Sequence, residues 1–95
     1  MSYSTYGTNI LPAEPVKLVR IASVAFAGDT LLLHLSDGRT VQLDMHQYTW
    51  LRWLLQATPV QRNDWEIVPS GGGAWWPELD EGVELQPLLA MQSLI

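Results

Sequence analysis

No cysteine occurs among the 95 residues, which excludes disulfides and thiolate metal centres and fits a reducing compartment. Positive charge is nearly as scarce. Lys17, Arg20, Arg39, Arg52 and Arg62 stand against ten acids, for a formal net charge of −5. Binding to a phosphate backbone or an anionic bilayer draws on clustered cations that release counterions; five scattered ones leave no direct nucleic-acid or membrane partner to expect. No apolar run approaches the ~20 residues that span a bilayer. The opening MSYSTYGTNILPAEPVK has neither the basic start nor the apolar middle of a secretory signal. The expected location is the cytoplasm.

What is present is apolar bulk. Hydrophobic residues make up 47% of the chain and charged residues 16%, a globular rather than a disordered balance. Five tryptophans supply large buried areas to a chain near the lower limit for a self-sufficient core. There is room for one domain and no sign of an internal repeat. Residues 1–16, with Pro12 and Pro15 and little periodicity, read as a flexible N-terminal tail, and residues 17–95 as a single α+β domain.

Within that domain KLVRIASVAFAG reads as a strand running into a turn at Gly28 and Asp29. TLLLHLSDGRTVQLDM is a hairpin with two competing registers. A two-residue turn at Asp37 and Gly38 pairs His34 with Val41 and mixes polar with apolar on both faces. A three-residue turn, Ser36-Asp37-Gly38 with Gly38 left-handed, pairs Leu33 with Val41 and Leu31 with Leu43 and gathers the apolar side chains on one face. The second register is expected. HQYTWLRWLLQAT is a helix candidate: at 100° per residue Thr49, Arg52 and Gln56 form a polar stripe, Tyr48, Leu51, Leu54 and Leu55 face the core, and Trp50, Trp53 and Ala57 fill a third sector. Either the sheet wraps that sector or another chain does. Thr58 then caps a helical turn begun by Pro59, WEIV and AWWPEL form a second hairpin, and ELQPLLAMQSLI ends in a short helix. The expected fold is α+β: an N-terminal antiparallel meander, a helix, a second hairpin and a short C-terminal helix.

GGGAWWPELDEG, residues 71–82, is the most unusual stretch. A phosphate loop needs a following Lys-Ser/Thr and a helix N-terminus, which this stretch lacks, so the glycines read as a connection allowing close backbone approach. Trp75 and Trp76 are consecutive and point to opposite faces of a strand, and Pro77 ends ladder pairing. Glu78, Asp80, Glu81 and Glu84 lack the alternating ligand spacing of a calcium loop and read as a solvated turn with acids near a helix N-terminus. The alternative is a small-ligand or metal-binding regulator using the Pro77–Gly82 turn. His34, on the outer face of the hairpin, and His46, where the helix begins, have no nucleophile pattern beside them, and zinc needs three or four ligands. No catalytic, cofactor or metal residue is assigned, and no enzyme activity is expected.

LSDGRTVQL, LLQATPVQRNDWEI and GGGAWWPELDEGVELQPLL, in that order, resemble the bacterial family catalogued as domain of unknown function 2442. The similarity runs from about Ile21 to Leu89. Ser36, Asp37, Gly38, Arg39, Ala57, Thr58, Pro59, Arg62, Trp65, Trp76, Pro77, Asp80, Glu81, Leu88 and Leu89 stand at its motif positions. The chain departs where the family often has proline and a basic residue, at Arg52 and Trp53, and again at Gly82, which softens the usual acid-hydrophobic sequel to Asp-Glu. The resemblance implies a small α+β fold without established catalytic residues. Its members occur alone or fused to helix-turn-helix segments, some beside small partner proteins in a toxin–antitoxin-like arrangement. The expected function is a non-catalytic interaction or regulatory module, antitoxin-like or a homo-oligomeric adaptor, with itself or a small basic protein as partner. Trp50, Trp53, Arg52 and Trp75 are the candidate interaction residues.

Overall fold

The computed structural model describes residues 18–93, so the tail assigned to residues 1–16 lies outside the described residues. Two three-stranded antiparallel sheets and three short helices make up the fold, an α+β arrangement. The first sheet is a meander of β1 (Ile21–Ala27), β2 (Thr30–Leu35) and β3 (Thr40–Asp44) in sequential order. The second is β4 (Glu66–Ile67), β5 (Gly73–Trp76) and β6 (Glu81–Glu84). Between them lie a 3-10 turn, Thr49–Leu51, running straight into α1 (Arg52–Leu55), and then α2 (Pro59–Arg62). The chain closes with α3 (Leu85–Ser93).

The three-residue turn is present, with Leu33 paired to Val41 and Leu31 to Leu43. Gly38 takes a φ of 94°, a conformation a Cβ would penalise, and the Leu35 N–H reaches the Arg39 carbonyl at 2.8 Å. The Asp37 carboxylate fastens the turn from outside. It accepts from the Arg39 N–H at 3.0 Å and from the Arg39 guanidinium at 2.6 Å. That register buries Leu31, Leu33, Val41 and Leu43 on one face. In β1 an irregularity between Ile21 and Ser23 resets the alternation, so Ile21 and Val24, three apart, both reach the core.

The helix expected from His46 is shorter. Asp44 folds the chain back on itself: its carboxylate accepts from the His46 N–H at 3.0 Å and its carbonyl from the Gln47 N–H at 3.0 Å. Residues 45–47 are therefore a turn, and helical backbone starts only at Thr49. A segment of seven helical residues is too short to persist by propensity; it is held by Leu51 and Leu54, both at 0% exposure. At α2 the expected cap is present and reciprocal. Thr58 Oγ1 accepts from the Gln61 N–H at 3.1 Å, and Gln61 Oε1 accepts from the Thr58 N–H at 2.9 Å.

The second half differs more. The strand expected over AWWPEL stops at Trp76, and Pro77–Leu79 is a 3-10 turn. Of the acids expected near a helix start, Glu84 directly precedes α3, whereas Glu81 begins a strand. Asp80 takes the left-handed conformation, φ 54°, which aspartate tolerates better than most residues, and this returns the chain so that Glu81 pairs with Trp76 and Glu84 with Gly73. The second sheet thus gains β6, with Val83 inside.

The glycine run joins the two sheets. The Gly71 carbonyl accepts from the Ile21 N–H at 2.8 Å, the Gly72 carbonyl from the Leu85 N–H at 2.8 Å, and the Gly73 carbonyl from the Val68 N–H at 3.0 Å. One tripeptide therefore binds β1, the first residue of α3 and the end of β4. The approach is close enough to exclude a side chain at Gly73, where a Cβ would stand 2.7 Å from the Val83 carbonyl oxygen. At Gly72 the nearest atom is the movable Ser70 hydroxyl, at 3.3 Å. Gly73→Ala is expected to cost about 1–3 kcal/mol by overpacking, and Gly72→Ala to stay within about 0.5 kcal/mol of wild type. Urea unfolding of the two variants side by side checks the contrast.

Candidate functional site

The candidate interaction residues separate in the structure. Trp53 turns inward: its ring meets Trp76 edge to face, centroids 5.4 Å apart at 70°, and its indole N–H donates to the Trp50 carbonyl at 2.8 Å. Ala57, from the same sector of the wheel, also packs against the core. The protein's own fold thus covers two of the three residues in that sector. Trp50 stays 42% exposed, steadied by a tilted contact with Tyr48 at 5.5 Å. Arg52 is exposed on a different surface, beside His46 and Gln56.

Trp50 and Trp75 come together although they are far apart in sequence. Both line an open groove of about 730 Å³, whose other walls include Val68, Leu88 and Met91. Trp75 and Met91 are each 37% exposed, so three large apolar side chains converge there, whereas Leu18 and Val60 are exposed outside it. The floor is unusually bare. Trp75 pairs with Gly82 on one neighbouring strand and with Glu66 on the other. A Cβ at Gly82 would stand 3.1 Å from the Trp75 ring and 2.7 Å from the Ala74 carbonyl oxygen. The indole therefore stands beside Gly82, the position at which this chain departs from the resemblance. Val68, Met91 and Glu66 were not singled out in the sequence. The apolar spacing from Leu88 to Met91 in the last helix was the available signal.

The motif residues form the scaffold behind this groove. Arg62, with a side chain only 15% exposed, ties four segments. Its guanidinium donates to the carbonyls of Leu54 at 3.2 Å and Leu55 at 2.8 Å, at the end of α1; the Leu54 carbonyl also accepts from the Ala57 N–H at 3.1 Å. It also donates to the Gly28 carbonyl at 3.2 Å and to the Asp29 carboxylate at 3.1 Å, and lies 5.6 Å from the Phe26 ring centre. The Arg62 carbonyl accepts from the Trp76 indole N–H at 3.0 Å. Ser36 accepts from the Arg20 N–H at 3.0 Å, Trp65 is partly buried against the core, and Pro77 and Asp80 shape the turn into β6. Each of these contacts is structural.

His46 and Asp29 meet at 2.8 Å, with side chains 62% and 46% exposed. Asp29 is held below its ordinary value of 3.8, first by the hydrogen bond with His46 and then by the one from Arg62. Asp37 is lowered by the Arg39 N–H and then by the guanidinium of the same residue. His34 bonds the Thr40 hydroxyl at 3.1 Å. Glu78, Asp80, Glu81 and Glu84 are all exposed, and among the described residues no three acids or imidazoles are placed to hold a metal ion. Nor, among them, is any helix long and apolar enough to cross a membrane.

Residues 21–91 match the protein family described as "Protein of unknown function (DUF2442)". No curated protein matches the chain. Two solved structures are similar. One is the crystal structure of a protein of unknown function from Rhodospirillum rubrum, 23% identical, with a TM-score of 0.64 over 79% of this chain and 89% of the other. The second is the NMR structure of an uncharacterized protein from Chromobacterium violaceum, 27% identical, with a TM-score of 0.62 over 75% of this chain and 64% of the other.

Two expectations follow from the scaffold. Arg62→Lys keeps the charge and loses the planar fork, taking the guanidinium partner from the Leu55 carbonyl at the end of α1. A loss of about 1.5–3 kcal/mol is expected, read as a lower urea midpoint. Asp29 and Asp37 have folded pKa values below their unfolded ones, so their contribution is present above pH 3.8 and disappears as pH falls through the folded values. Asp29→Asn is therefore expected to be less stable at pH 7 and to show a shallower acid decline than wild type. Urea midpoints measured from pH 7 to pH 2 test this.

Proposed function

We propose that the chain, which belongs to the DUF2442 family, is a non-catalytic protein-interaction module of the cytoplasm that binds its partner in the groove between Trp50 and Trp75. One observation carries this reading: three large apolar side chains from separate parts of the chain, Trp50, Trp75 and Met91, converge on a single open groove. Exposed tryptophans dispersed one by one need no explanation, but tryptophans gathered beside a cleft match the composition of binding hot spots. The conspicuous motif residues support the same reading from the other side. Arg62, Asp37, Thr58 and Trp76 complete turns, caps and buried hydrogen bonds, so they build a scaffold rather than present reactive groups.

An acidic module of this kind suits an antitoxin-like member of a protein pair or a small adaptor, because complementary charge speeds encounter with a basic partner. The test uses the full chain against a Trp50→Glu/Trp75→Glu variant. Both side chains are surface-exposed, so the variant is expected to keep its melting temperature within a few degrees. Wild type is expected to capture one protein stoichiometrically from native cytoplasmic extract, identified by mass spectrometry, and the folded variant to lose it. Equal capture by both forms refutes the groove. So does a wild-type chain that captures nothing.

A further inference from the structure

The face of the second sheet that carries Trp75 has a definite charge pattern. Glu66 lies directly opposite Trp75 on β4, and Gly82 lies directly opposite it on β6. Glu84, two residues beyond Gly82, pairs with Gly73 and so shares that face. A directly opposed pair has Cβ atoms about 5 Å apart and a diagonal one about 7–8 Å. One exposed indole is thus flanked by a carboxylate on each neighbouring strand. Between them Gly73 and Gly82 add no side chain to block access. Glu84 also lines the groove, and among the described residues no lysine or arginine does.

We infer that the groove receives an arginine-bearing segment of a partner protein, its guanidinium stacked on the Trp75 indole between Glu66 and Glu84, with apolar neighbours filling the space beside Trp50, Leu88 and Met91. This rests on the interaction reading above and names the chemistry of its partner. An indole face attracts a cation, and a guanidinium combines planar stacking with donors that match carboxylates, which an ammonium does not. Charge also decides against a second copy as the occupant. Each copy would bring its own Glu66 and Glu84 and a net charge of −5 to the same place, and juxtaposed like charges suppress association.

The probes are acetylated, amidated octapeptides alternating Arg-Leu, Lys-Leu, Arg-Ser and Glu-Leu, titrated at low salt into the full ¹⁵N-labelled chain. The indole N–H resonances of Trp50 and Trp75 report the site. Arg-Leu is expected to bind most tightly and shift both resonances, Lys-Leu and Arg-Ser more weakly, and Glu-Leu to leave them in place. Glu66→Gln and Glu84→Gln are each expected to raise the Kd for Arg-Leu roughly two- to five-fold, the scale of an exposed ion pair. Trp75→Leu, which keeps apolar area and loses the ring, is expected to raise it by a similar factor of about two to five.

Equal binding of Arg-Leu and Glu-Leu, shifts confined to residues outside the groove, or indifference to both glutamines overturns the assignment. Failure of every peptide to bind overturns it too. Groove resonances that move with protein concentration alone make a second copy the occupant, with the same result. A captured partner that docks through Trp50 and Trp75 with no arginine at the contact leaves the interaction module standing and removes only this assignment.

Discussion

A tryptophan at 0% exposure must find an acceptor for its indole N–H inside the protein, and Trp76 finds it in the carbonyl of Arg62. Much of the fold depends on that bond being available. It fixes where α2 ends relative to β5. The same residue's guanidinium then reaches back to the end of α1 and across to the turn between β1 and β2. Trp53 packs edge to face on the buried ring. A chain of this length cannot spread its core over many layers, so one large side chain and one forked cation hold parts that longer proteins would join with further helices.

The first sheet was legible because its instructions are local. Ser36-Asp37-Gly38 admits one turn that agrees with the alternation of Leu31, Leu33, Val41 and Leu43, and the structure has that turn. The Thr58 cap is equally local, as is the division of labour between Trp75 and Trp76. The helix boundary was not legible because Asp44 competes for the same residues with its own carboxylate and carbonyl. β6 was hidden for a different reason. Glu-Gly-Val-Glu is a poor strand by propensity, and it pairs with β5 because Asp80 turns the chain back and Leu85, immediately after it, is tied to Gly72.

The groove was half legible. Trp50 and Trp53 sit in one sector of a helical wheel, and nothing local separates them. Their fates diverge because Trp76 comes up beneath one and not beneath the other. Val68 and Met91 lie in segments that flank the second hairpin on either side, 23 positions apart in sequence. A surface assembled from parts this distant has no signature in any short window. What the sequence offered was a surplus of large apolar residues, and the structure locates where that surplus remains uncovered.

The bond from Ile21 to Gly71 has a kinetic side. Both turns of the first sheet close within a few residues, whereas this contact joins positions 21 and 71, and the entropy of bringing chain ends together grows with the length of chain between them. The meander can therefore gather itself early on local contacts, while the seam through the glycine run must wait for the intervening segments to settle. Trp50, Val68, Trp75, Leu88 and Met91, which line the groove, all follow the meander in sequence. The separations that the groove must close are therefore shorter than the one from Ile21 to Gly71.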